Sequence, residues 1–418
     1  MKEPYIPQVK DIQEANTLLN NVVDHTPLQY NLNLSERYGA SIYLKREDLQ
    51  VVRSYKIRGA YNKIASLDKA SLKNGVMCAS AGNHAQGVAY SCKLLDIKGL
   101  IVMPSITPKQ KIRQVEMFGK GKVEIILFGD TYDQAYCEAM RMSLEQEIPF
   151  IHPFDDEMVI EGQGTVGLEI LHNATKSIDY LFIPVGGGGL AAGVSSVFAT
   201  LSPETKLIGV EPEGAPAMQR SIETGELVTL EKIDKFVDGA AVQRVGKLTF
   251  PVCQKFLHEM MTVPEGKICT TILKLYNEDA IVAEPAGALT ISALDYYADQ
   301  IKGKEVVCIV SGSNNDITRT EEIKERSLLF EGVKHYFIVR FPQRAGALRE
   351  FVDHVLGPTD DITHFEYSKK SAREKGPAVI GIELKSPDDF QPLIHRMDQS
   401  GIVFEYLNER EDLFQFLV

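Results

Sequence analysis

The sequence predicts an α/β fold in which a large domain of parallel strands and helices precedes a small α+β domain. Over about the first 320 residues, short apolar runs alternate with helical stretches, which is the pattern of sheets whose strands are joined by helical crossovers. A charged segment follows, and the remainder has the order β-α-β-β-α-β of a ferredoxin-like domain. A length of 418 residues agrees with two or three domains.

Seven runs in the first part predict buried strands, and several of them are nearly continuous in apolar residues, as parallel strands covered on both faces should be. These runs are IYLKRED, GVMCAS, GLIVMP, KVEIILFG, YLFIPVGGGG, KLIGVEPE and EVVCIVSGS. A helix is predicted from about His84 to Leu95, where apolar residues recur at helical spacing. The alternation predicts right-handed crossovers between the strands.

The second part predicts four strands and two helices. The strands are HYFIVRFP, ITHFEYS, PAVIGIELK and GIVFEYL, and the helices are GALREFVDHVL and DFQPLIHRMDQS. Before them, the charged stretch DITRTEEIKERSLLFEGVKH predicts a connecting helix and a linker. We therefore expect a first domain over residues 1–320, a linker over 321–334 and a second domain over 335–418.

The composition disfavours several classes of protein. A formal net charge of −12 argues against nucleic acid or an anionic membrane as a partner, because both require clustered positive charge. No apolar run reaches the roughly 18 residues of a membrane span, and the stretch MKEPYIPQVK lacks the apolar core of a signal peptide. Six scattered cysteines without a CxxC pair predict buried thiols in a reducing compartment, so we expect a cytoplasmic protein with no metal site.

Two strand ends carry residues suited to anions, and in open α/β sheets ligands bind at such ends. The stretch SAGNHAQG, from Ser80 to Gly87, offers a hydroxyl, an amide and free backbone N–H groups at a helix N-terminus, which suits a carboxylate. Helix capping by Ser80 or Asn83 is the structural alternative. The run from Gly186 to Gly189 exposes consecutive backbone amides, which suits a phosphate.

Taken alone, two of these stretches have other interpretations. GGGGLA matches the relaxed dinucleotide pattern G-x-G-x-x-A, and Glu211 ends the next strand about 20 residues later, as a ribose-binding acid would. The glycine loop by itself therefore leaves a nicotinamide-dependent dehydrogenase open. Lys56, in VVRSYKIRGAYNK, could equally lie on a solvated basic turn.

Together, the motifs SYKIRGA, SAGNHAQG, GGGGL and SGSN resemble those of the fold type II pyridoxal-phosphate enzymes, and most closely the threonine and serine dehydratase branch. The resemblance covers the first 320 residues and continues into the C-terminal domain. It implies a catalytic domain of two open α/β lobes, pyridoxal 5'-phosphate as the cofactor and an amino acid as the substrate. A nicotinamide-dependent dehydrogenase would leave Lys56, the SAGNH turn and Ser311 without a role.

The resemblance implies that Lys56 is the catalytic lysine that binds the cofactor covalently, for which its amine must be neutral. It places Asn83 near the ring oxygen and Ser311 near the ring nitrogen, and a neutral hydroxyl there suits the quick loss of a β-leaving group. Glu284 also matches a family motif near the cofactor, although a helix N-terminal acid is an open alternative. The residues expected to bind the phosphate are Gly186, Gly187, Gly188, Gly189 and Leu190, and those expected to bind the substrate are Ser80, Ala81, Gly82, Asn83 and His84.

The implied reaction is the conversion of L-threonine to 2-oxobutanoate and ammonia, the first step of isoleucine biosynthesis. L-serine dehydratases and serine racemases share most of the motifs. Racemases have a serine directly before Gly-Asn-His, where this chain has Ala81, and they have an aspartate six residues after a metal-binding glutamate, where Ala217 follows Glu211. Both differences favour a dehydratase. Retention of Lys56 and the glycines argues against a catalytically silent amino-acid sensor.

The stretch FPQRAGALREF resembles the start of ACT-like amino-acid-binding domains, with Ala345 where those domains commonly have proline. Only one such unit fits into residues 335–418. The resemblance implies an allosteric sensor of isoleucine, opposed by valine, whose ligand carboxylate would meet backbone N–H groups from Arg344 to Leu348. A dimerisation domain without a ligand is the alternative, and the family implies a homotetramer.

Overall fold

The computed structural model describes residues 4–367 and 375–410. The chain forms two compact units. Unit 1 comprises Met1–Glu265 and Lys274–Asn315, and unit 2 comprises Gly266–Leu273 and Asp316–Val418. One helix therefore contributes residues to both units.

The helices are α1 (Val9–Leu19), α2 (Leu32–Tyr38), α3 (Lys56–Ala65), α4 (Asn83–Leu95), α5 (Lys109–Gly119), α6 (Tyr132–Glu145), α7 (Glu157–Asn173), α8 (Gly189–Leu201), α9 (Ala217–Thr224), α10 (Thr249–Phe256), α11 (Glu265–Asp279), α12 (Pro285–Ser292), α13 (Ala298–Ile301), α14 (Thr320–Phe330), α15 (Ala347–His354) and α16 (Phe390–Gln399). The strands are β1 (Leu28–Tyr30), β2 (Ser41–Arg46), β3 (Val76–Ala79), β4 (Gly99–Met103), β5 (Val123–Leu127), β6 (Tyr180–Pro184), β7 (Lys206–Pro212), β8 (Glu259–Val263), β9 (Glu305–Val310), β10 (Lys334–Pro342), β11 (Asp361–Tyr367), β12 (Lys375–Glu383) and β13 (Phe404–Tyr406). Within the described ranges, none of these helices combines the length and the apolar character that crossing a membrane requires.

Unit 1 is built on two sheets. The larger has the order β1-β2-β9-β6-β7-β8, in which every neighbouring pair is parallel except β1 and β2. The smaller is the parallel sheet β3-β4-β5. All seven predicted strands are present, and the helix predicted from about His84 to Leu95 and the α/β fold class are confirmed. The predicted burial is wrong for β5, none of whose residues is buried, because this strand lies at the edge of the smaller sheet.

Two strands of the larger sheet lie outside the predicted runs. β1 has only three residues, two of them exposed, and Val263 is the one fully buried residue of β8. Both strands lie at an edge of the sheet, where less of the strand is covered, so the apolar signal in their sequences is weak.

The carboxyl ends of the central strands are fixed by a buried core. Ile183 of β6 and Ile309 of β9 pack in one cluster with Val194 and Phe198 of α8 and with Ile170 of α7. Burial of side chains of this size contributes about 1.5–3 kcal/mol each. The loops that follow β6 and β9 therefore start from rigid positions at the same edge of the sheet.

Five of the six cysteines are buried, and all six are free thiols. The prediction of buried thiols is wrong for Cys137, which is exposed on α6. The buried face of α6 carries Ala135 and Ala139, four residues apart. Position 137 is two residues from each and therefore points away from that face.

Unit 2 contains the antiparallel sheet β11-β12-β10-β13. The chain order β10-α15-β11-β12-α16-β13 confirms the predicted ferredoxin-like arrangement. Its core joins Phe337 and Ile380 of the sheet to Phe351 of α15 and Leu393 of α16. Ser368, the last residue of the predicted strand ITHFEYS, lies outside the described residues, as do residues 411–418 of the expected second domain.

Candidate active site

Lys56 is the first residue of α3 and lies against the N-terminal part of α4. A Cβ atom on Gly87 of α4 would come within 3.2 Å of the Lys56 backbone, so the two helices approach closely. The Lys56 Nζ donates a hydrogen bond to the carbonyl of Pro153 at 2.9 Å. Burial lowers the pKa of Lys56 from 10.5 to about 8, although the Glu284 carboxylate acts in the opposite direction. A substantial fraction of the amine is therefore neutral near physiological pH, as a nucleophile requires.

The Glu284 carboxylate, at the N-cap of α12, accepts hydrogen bonds from the Asn83 side chain and the Asn314 backbone. The Asn83 Nδ2 donates to the Glu284 Oε1 at 2.6 Å, and the backbone N–H of Asn314 donates to the Glu284 Oε2 at 3.2 Å. The Asn314 side chain also donates to the Asn83 Oδ1. Burial raises the pKa of Glu284 from 4.5 to about 7. The side-chain amide of Asn83 is thus oriented by the protein itself, and its expected contact with the ring oxygen stays a proposal.

In the turn from Ser80 to His84, the side chains of Ser80 and His84 bind other parts of the protein, and the backbone at Gly82 is open. The Ser80 Oγ accepts the N–H of Gly82 at 3.2 Å. The His84 Nε2 donates to the carbonyl of Ile151 at 2.8 Å, and burial lowers the pKa of His84 to about 3, so its ring is neutral and tied to the core. A Cβ atom on Gly82 would have nothing within 4 Å. A substrate could therefore approach the backbone at Gly82, whereas the His84 ring faces Ile151.

Close packing or backbone conformation accounts for each glycine from Gly186 to Gly189. A Cβ atom would come within 2.9 Å of the Ala240 backbone at Gly186, and within 2.2 Å and 3.0 Å of Phe154 at Gly187 and Gly189. Gly188 has φ +91°, a conformation that favours glycine. Internal packing thus accounts for part of the glycine run, in addition to any use of the exposed amides.

The amides of this loop are available to a ligand. The N–H groups from Gly186 to Gly188 donate to no acceptor among the described residues. Gly189 and Leu190 occupy the first turn of α8, where N–H groups have no partner within the helix. A run of such donors at a helix N-terminus suits a phosphate dianion.

Ser311 follows β9 and is buried. Its carbonyl accepts the N–H of Tyr55 at 3.3 Å, and Ser54 and Gly312 form a β-bridge beside it. The structure therefore brings Ser311 next to the segment that leads into Lys56. The buried Ser54 Oγ has no hydrogen-bond partner among the described residues.

Two further groups were missed by the sequence analysis. Arg58 is fully buried, and its guanidinium pairs with Glu47 at 2.8 Å and with Glu169 at 2.7 Å. Lys45 completes this cluster of two cations and two anions. The charged residues in the predicted buried strand IYLKRED were a usable signal for it. The other missed group is the segment His152–Asp156, which contacts both Lys56 and the glycine loop.

Glu211 does not face a ligand site. It is fully buried, and its carboxylate accepts the N–H groups of Met218 and Gln219 at the start of α9, at 2.7 Å and 2.8 Å. Burial raises its pKa to about 8, against the two amide donors that lower it. The alternative interpretation of Glu211, as the ribose-binding acid of a dinucleotide site, is therefore wrong.

The described residues fit pyridoxal phosphate. They supply a primary amine of lowered pKa at Lys56 and a series of free amides for the phosphate. Two buried polar atoms close to Lys56 in the fold, the Ser54 Oγ and the Asn314 Oδ1, lack acceptors or donors among the described residues. Residues 19–312 match the family model described as pyridoxal-phosphate dependent enzyme. This match covers more than half of the chain, which therefore belongs to the family of pyridoxal-phosphate dependent enzymes.

More particular similarities cover both units. Residues 325–417 match the model described as the C-terminal regulatory domain of threonine dehydratase. The chain is similar to L-threonine dehydratase biosynthetic IlvA of Halalkalibacterium halodurans, with 58% identity over 98% of this chain and 99% of that protein. The resemblance inferred from the motifs is confirmed, and the nicotinamide alternative is wrong.

Two solved structures are also similar. Threonine deaminase isoform 2 of Solanum lycopersicum has a TM-score of 0.74 and 39% identity, with 78% of this chain and 91% of that chain covered. Maize serine racemase has a TM-score of 0.72 and 29% identity, with 78% and 98% covered. The catalytic fold alone thus does not separate a dehydratase from a racemase, and individual residues must do so.

Proposed function

We propose that this chain is a threonine ammonia-lyase that converts L-threonine to 2-oxobutanoate and ammonia, the first step of isoleucine biosynthesis. The observation that carries the proposal is the Lys56 amine, whose pKa is lowered to about 8 and which is linked through Pro153 and Phe154 to the glycine loop. The curated relative at 58% identity, named as a biosynthetic threonine dehydratase, supports the choice of substrate.

The residues of the chain have distinct roles in this proposal. The first turn of α4 and the open space at Gly82 hold the substrate carboxylate. The neutral Lys56 Nζ takes the proton from the substrate Cα. Bound pyridoxal phosphate supplies the electron sink that stabilises the resulting negative charge. Loss of the β-hydroxyl as water, followed by hydrolysis, gives 2-oxobutanoate and ammonia. Ser311 and Asn83 would orient the ring.

Racemisation is disfavoured by two residues. Ala81 stands where the racemase pattern has the serine that serves as a second acid and base, and a methyl group carries no transferable proton. Glu211, the candidate metal ligand of that pattern, uses both carboxylate oxygens to accept backbone N–H groups. A dehydratase needs neither function. Appreciable D-serine formed from L-serine would contradict this assignment.

The experiment on Lys56 compares two lysines of α3. Lys56→Ala should abolish turnover of threonine and the visible absorbance of the bound cofactor together. Lys63→Ala, in the last turn of the same helix, removes an ion pair with Asp156 but should keep both signals. Full activity in Lys56→Ala would refute the proposal. The ratio of kcat/KM for threonine and serine, which differ by one methyl group worth about 1–3 kcal/mol in a pocket, tests the substrate.

For regulation, we propose that unit 2 binds isoleucine, with valine opposing it, near the start of α15. Arg344 and Ala345 are exposed there, and Gly346 is the N-cap of α15 with φ +88° and open space around its Cβ position. The N–H of Arg344 donates to the carbonyl of Pro342 at 2.9 Å, so the amides that would suit the ligand carboxylate are those from Ala345 to Leu348. The match of residues 325–417 to a regulatory domain supports the role.

Regulation is tested in the full-length chain. Ala345→Glu adds one negative charge at the start of α15 and should weaken inhibition by isoleucine by repelling its carboxylate. Gln391→Glu adds the same charge at an exposed position of α16 and should leave inhibition unchanged. By linkage, isoleucine and threonine must weaken each other's binding by the same factor. Equal inhibition of both variants and the wild type would place the isoleucine site elsewhere.

Assembly, location and domain limits complete the proposal. We propose a homotetramer, the closed symmetric state implied by the family resemblance. The six free thiols support a reducing compartment, and we propose the cytoplasm. Residues 1–320 would carry catalysis and residues 335–418 regulation, joined by 321–334.

A further inference from the structure

The segment His152–Asp156 connects three parts of the candidate site. The carbonyl of Pro153 accepts the Lys56 amine. The ring of Phe154 lies against Gly187, where a Cβ atom would be 2.2 Å from it. Asp155 reaches the residues that precede α10. None of these residues belongs to the motifs that predicted the site.

Asp155 fixes the start of α10. Its Oδ2 accepts the N–H of Lys247 at 2.9 Å, and its Oδ1 accepts the N–H of Leu248 at 2.7 Å. A Cβ atom on Gly246 would be 2.3 Å from the Asp155 Oδ1, so this carboxylate lies directly against the backbone of the turn. Hydrogen bonds from backbone N–H groups to an ionised carboxylate are among the stronger ones in proteins.

The residues that Asp155 fixes at the start of α10 also hold the glycine loop. The Thr249 Oγ1 donates to the carbonyl of Gly187 at 2.6 Å, and the N–H of Gly246 donates to the same oxygen at 3.2 Å. In a trans peptide the C=O and the following N–H point in opposite directions. Because the carbonyl of Gly187 is held towards α10, the N–H of Gly188 points away from α10.

His152 sets the conformation of the segment itself. Its Nδ1 accepts the N–H of Asp155 at 2.8 Å and that of Phe154 at 3.3 Å. Burial lowers the pKa of His152 to about 4, so the ring stays neutral and keeps accepting at physiological pH. The hydrogen bonds to His152 therefore fix the backbone position of Asp155 within its own segment.

We propose that Asp155 is a positioning residue for the cofactor phosphate: through Lys247, Leu248 and Thr249 it orients the free amides of the glycine loop. The inference rests on the proposed use of that loop for the phosphate. It assigns Asp155 an effect on the phosphate group alone, because the ring and the Lys56 amine are held by other residues. An ordinary helix cap would instead affect stability without distinguishing between ligands.

The experiment titrates the apoprotein with pyridoxal phosphate and with pyridoxal, which lacks the phosphate, and follows the absorbance of each bound ligand. Asp155→Ala should weaken the binding of pyridoxal phosphate by roughly 10- to 100-fold, the size of loss seen when a residue that orients a metal ligand is removed. The binding of pyridoxal should be unchanged. Asp155→Asn retains one acceptor oxygen and disturbs the fold less. It should show the same selectivity with a smaller loss of affinity for pyridoxal phosphate.

Two further variants make the outcomes unambiguous. Asp156→Ala removes the neighbouring carboxylate, which caps α7 and pairs with Lys63, and should leave the ratio of the two affinities unchanged. Gly188→Ala disturbs the glycine loop directly and should weaken the binding of pyridoxal phosphate but not that of pyridoxal. Selectivity in Gly188→Ala without selectivity in either Asp155 variant would overturn the inference and leave the phosphate loop intact. Absence of selectivity in all of them would overturn the phosphate loop as well.

Discussion

Lys56 and Arg58 lie two residues apart on α3, and both are cations withdrawn from water in very different surroundings. Arg58 is one of two cations paired with two carboxylates. Against the effect of burial, the two carboxylates raise the pKa of Arg58 above its usual range, and the two cations lower the pKa of Glu47. Lys56 makes its hydrogen bond to a neutral carbonyl, and burial lowers its pKa to about 8. Glu284, the carboxylate acting on it, has its own pKa raised to about 7.

The difference shows how one helix carries both a fixed and a reactive cation. Where charges compensate each other, the ionised forms are kept and the cluster holds its position. Where they do not, burial moves both groups towards their neutral forms, which is the condition for exchanging protons near neutral pH. The cluster around Arg58 is therefore structural, and the environment of Lys56 suits chemistry.

Removal of Arg58 should have the largest effect on stability. Arg58→Met leaves Glu47 and Glu169 with Lys45 as the remaining cation of the cluster, and loss of one partner from a buried ionic group costs about 3–5 kcal/mol. Denaturant unfolding of the apoprotein measures this loss. Arg141→Met breaks ion pairs on the exposed face of α6 and is the matched control, with little change expected. Equal, small losses in both variants would show that the buried cluster does not stabilise the fold.

The reactivity of Lys56 should differ from that of exposed lysines by its pH dependence. Because only the neutral amine reacts, modification of Lys56 in the apoprotein should reach half its maximum near pH 8, well below the value of about 10.4 for an ordinary lysine. Peptide mapping after brief acylation over a range of pH measures it, with the exposed Lys10 as the internal control. A Lys56 profile that coincides with that of Lys10 would remove the contrast with Arg58.

Glu284→Gln should have a smaller, pH-dependent effect. The pKa of Glu284 is raised when the protein folds, so its stabilising contribution is present below about pH 4.5 and is lost as the pH rises through about 7. Relative to the wild type, the variant should gain stability between pH 5 and pH 8, on the order of 2 kcal/mol. It should also lower the pKa of Lys56 further, because the Glu284 carboxylate raises it.

Unfolding at the two pH values and the acylation profile test these effects separately. A difference between variant and wild type that does not change with pH would mean that Glu284 is ionised in the native protein throughout this range.

The sequence predicted the parts of the molecule that depend on local signals. The central strands follow from apolar runs, and Lys56 and the glycine loop follow from motifs only a few residues long. The charged residues of IYLKRED indicated only part of the Arg58 cluster, because its members come from β2, the turn after it, α3 and α7. The bond from Asn83 to Glu284 spans 201 positions of the chain, and no local pattern indicates it.

Two further misses have the same cause. Asp155 reads as one acid in the run DD before a helix, and only Asp156 is the N-cap of α7. The partners of Asp155 lie more than 90 residues away, at Lys247 and Leu248. Glycines 186 to 189 were identified correctly as a special loop, but the contact of Phe154 with two of them depends on tertiary packing.

Helix α11 limits how the C-terminal domain could be gained or lost by recombination. Its first part, Gly266–Leu273, belongs to unit 2 although it precedes the last strand of unit 1 in the sequence. The Thr270 hydroxyl lies 2.9 Å from that of Ser327, and a Cβ atom on Gly266 would be 2.4 Å from Phe330. A recombination point or a stop codon near residue 316 would therefore separate half of a helix from the residues that cover it. A single crossover that added or removed the regulatory domain would therefore also require changes in the sequence of α11.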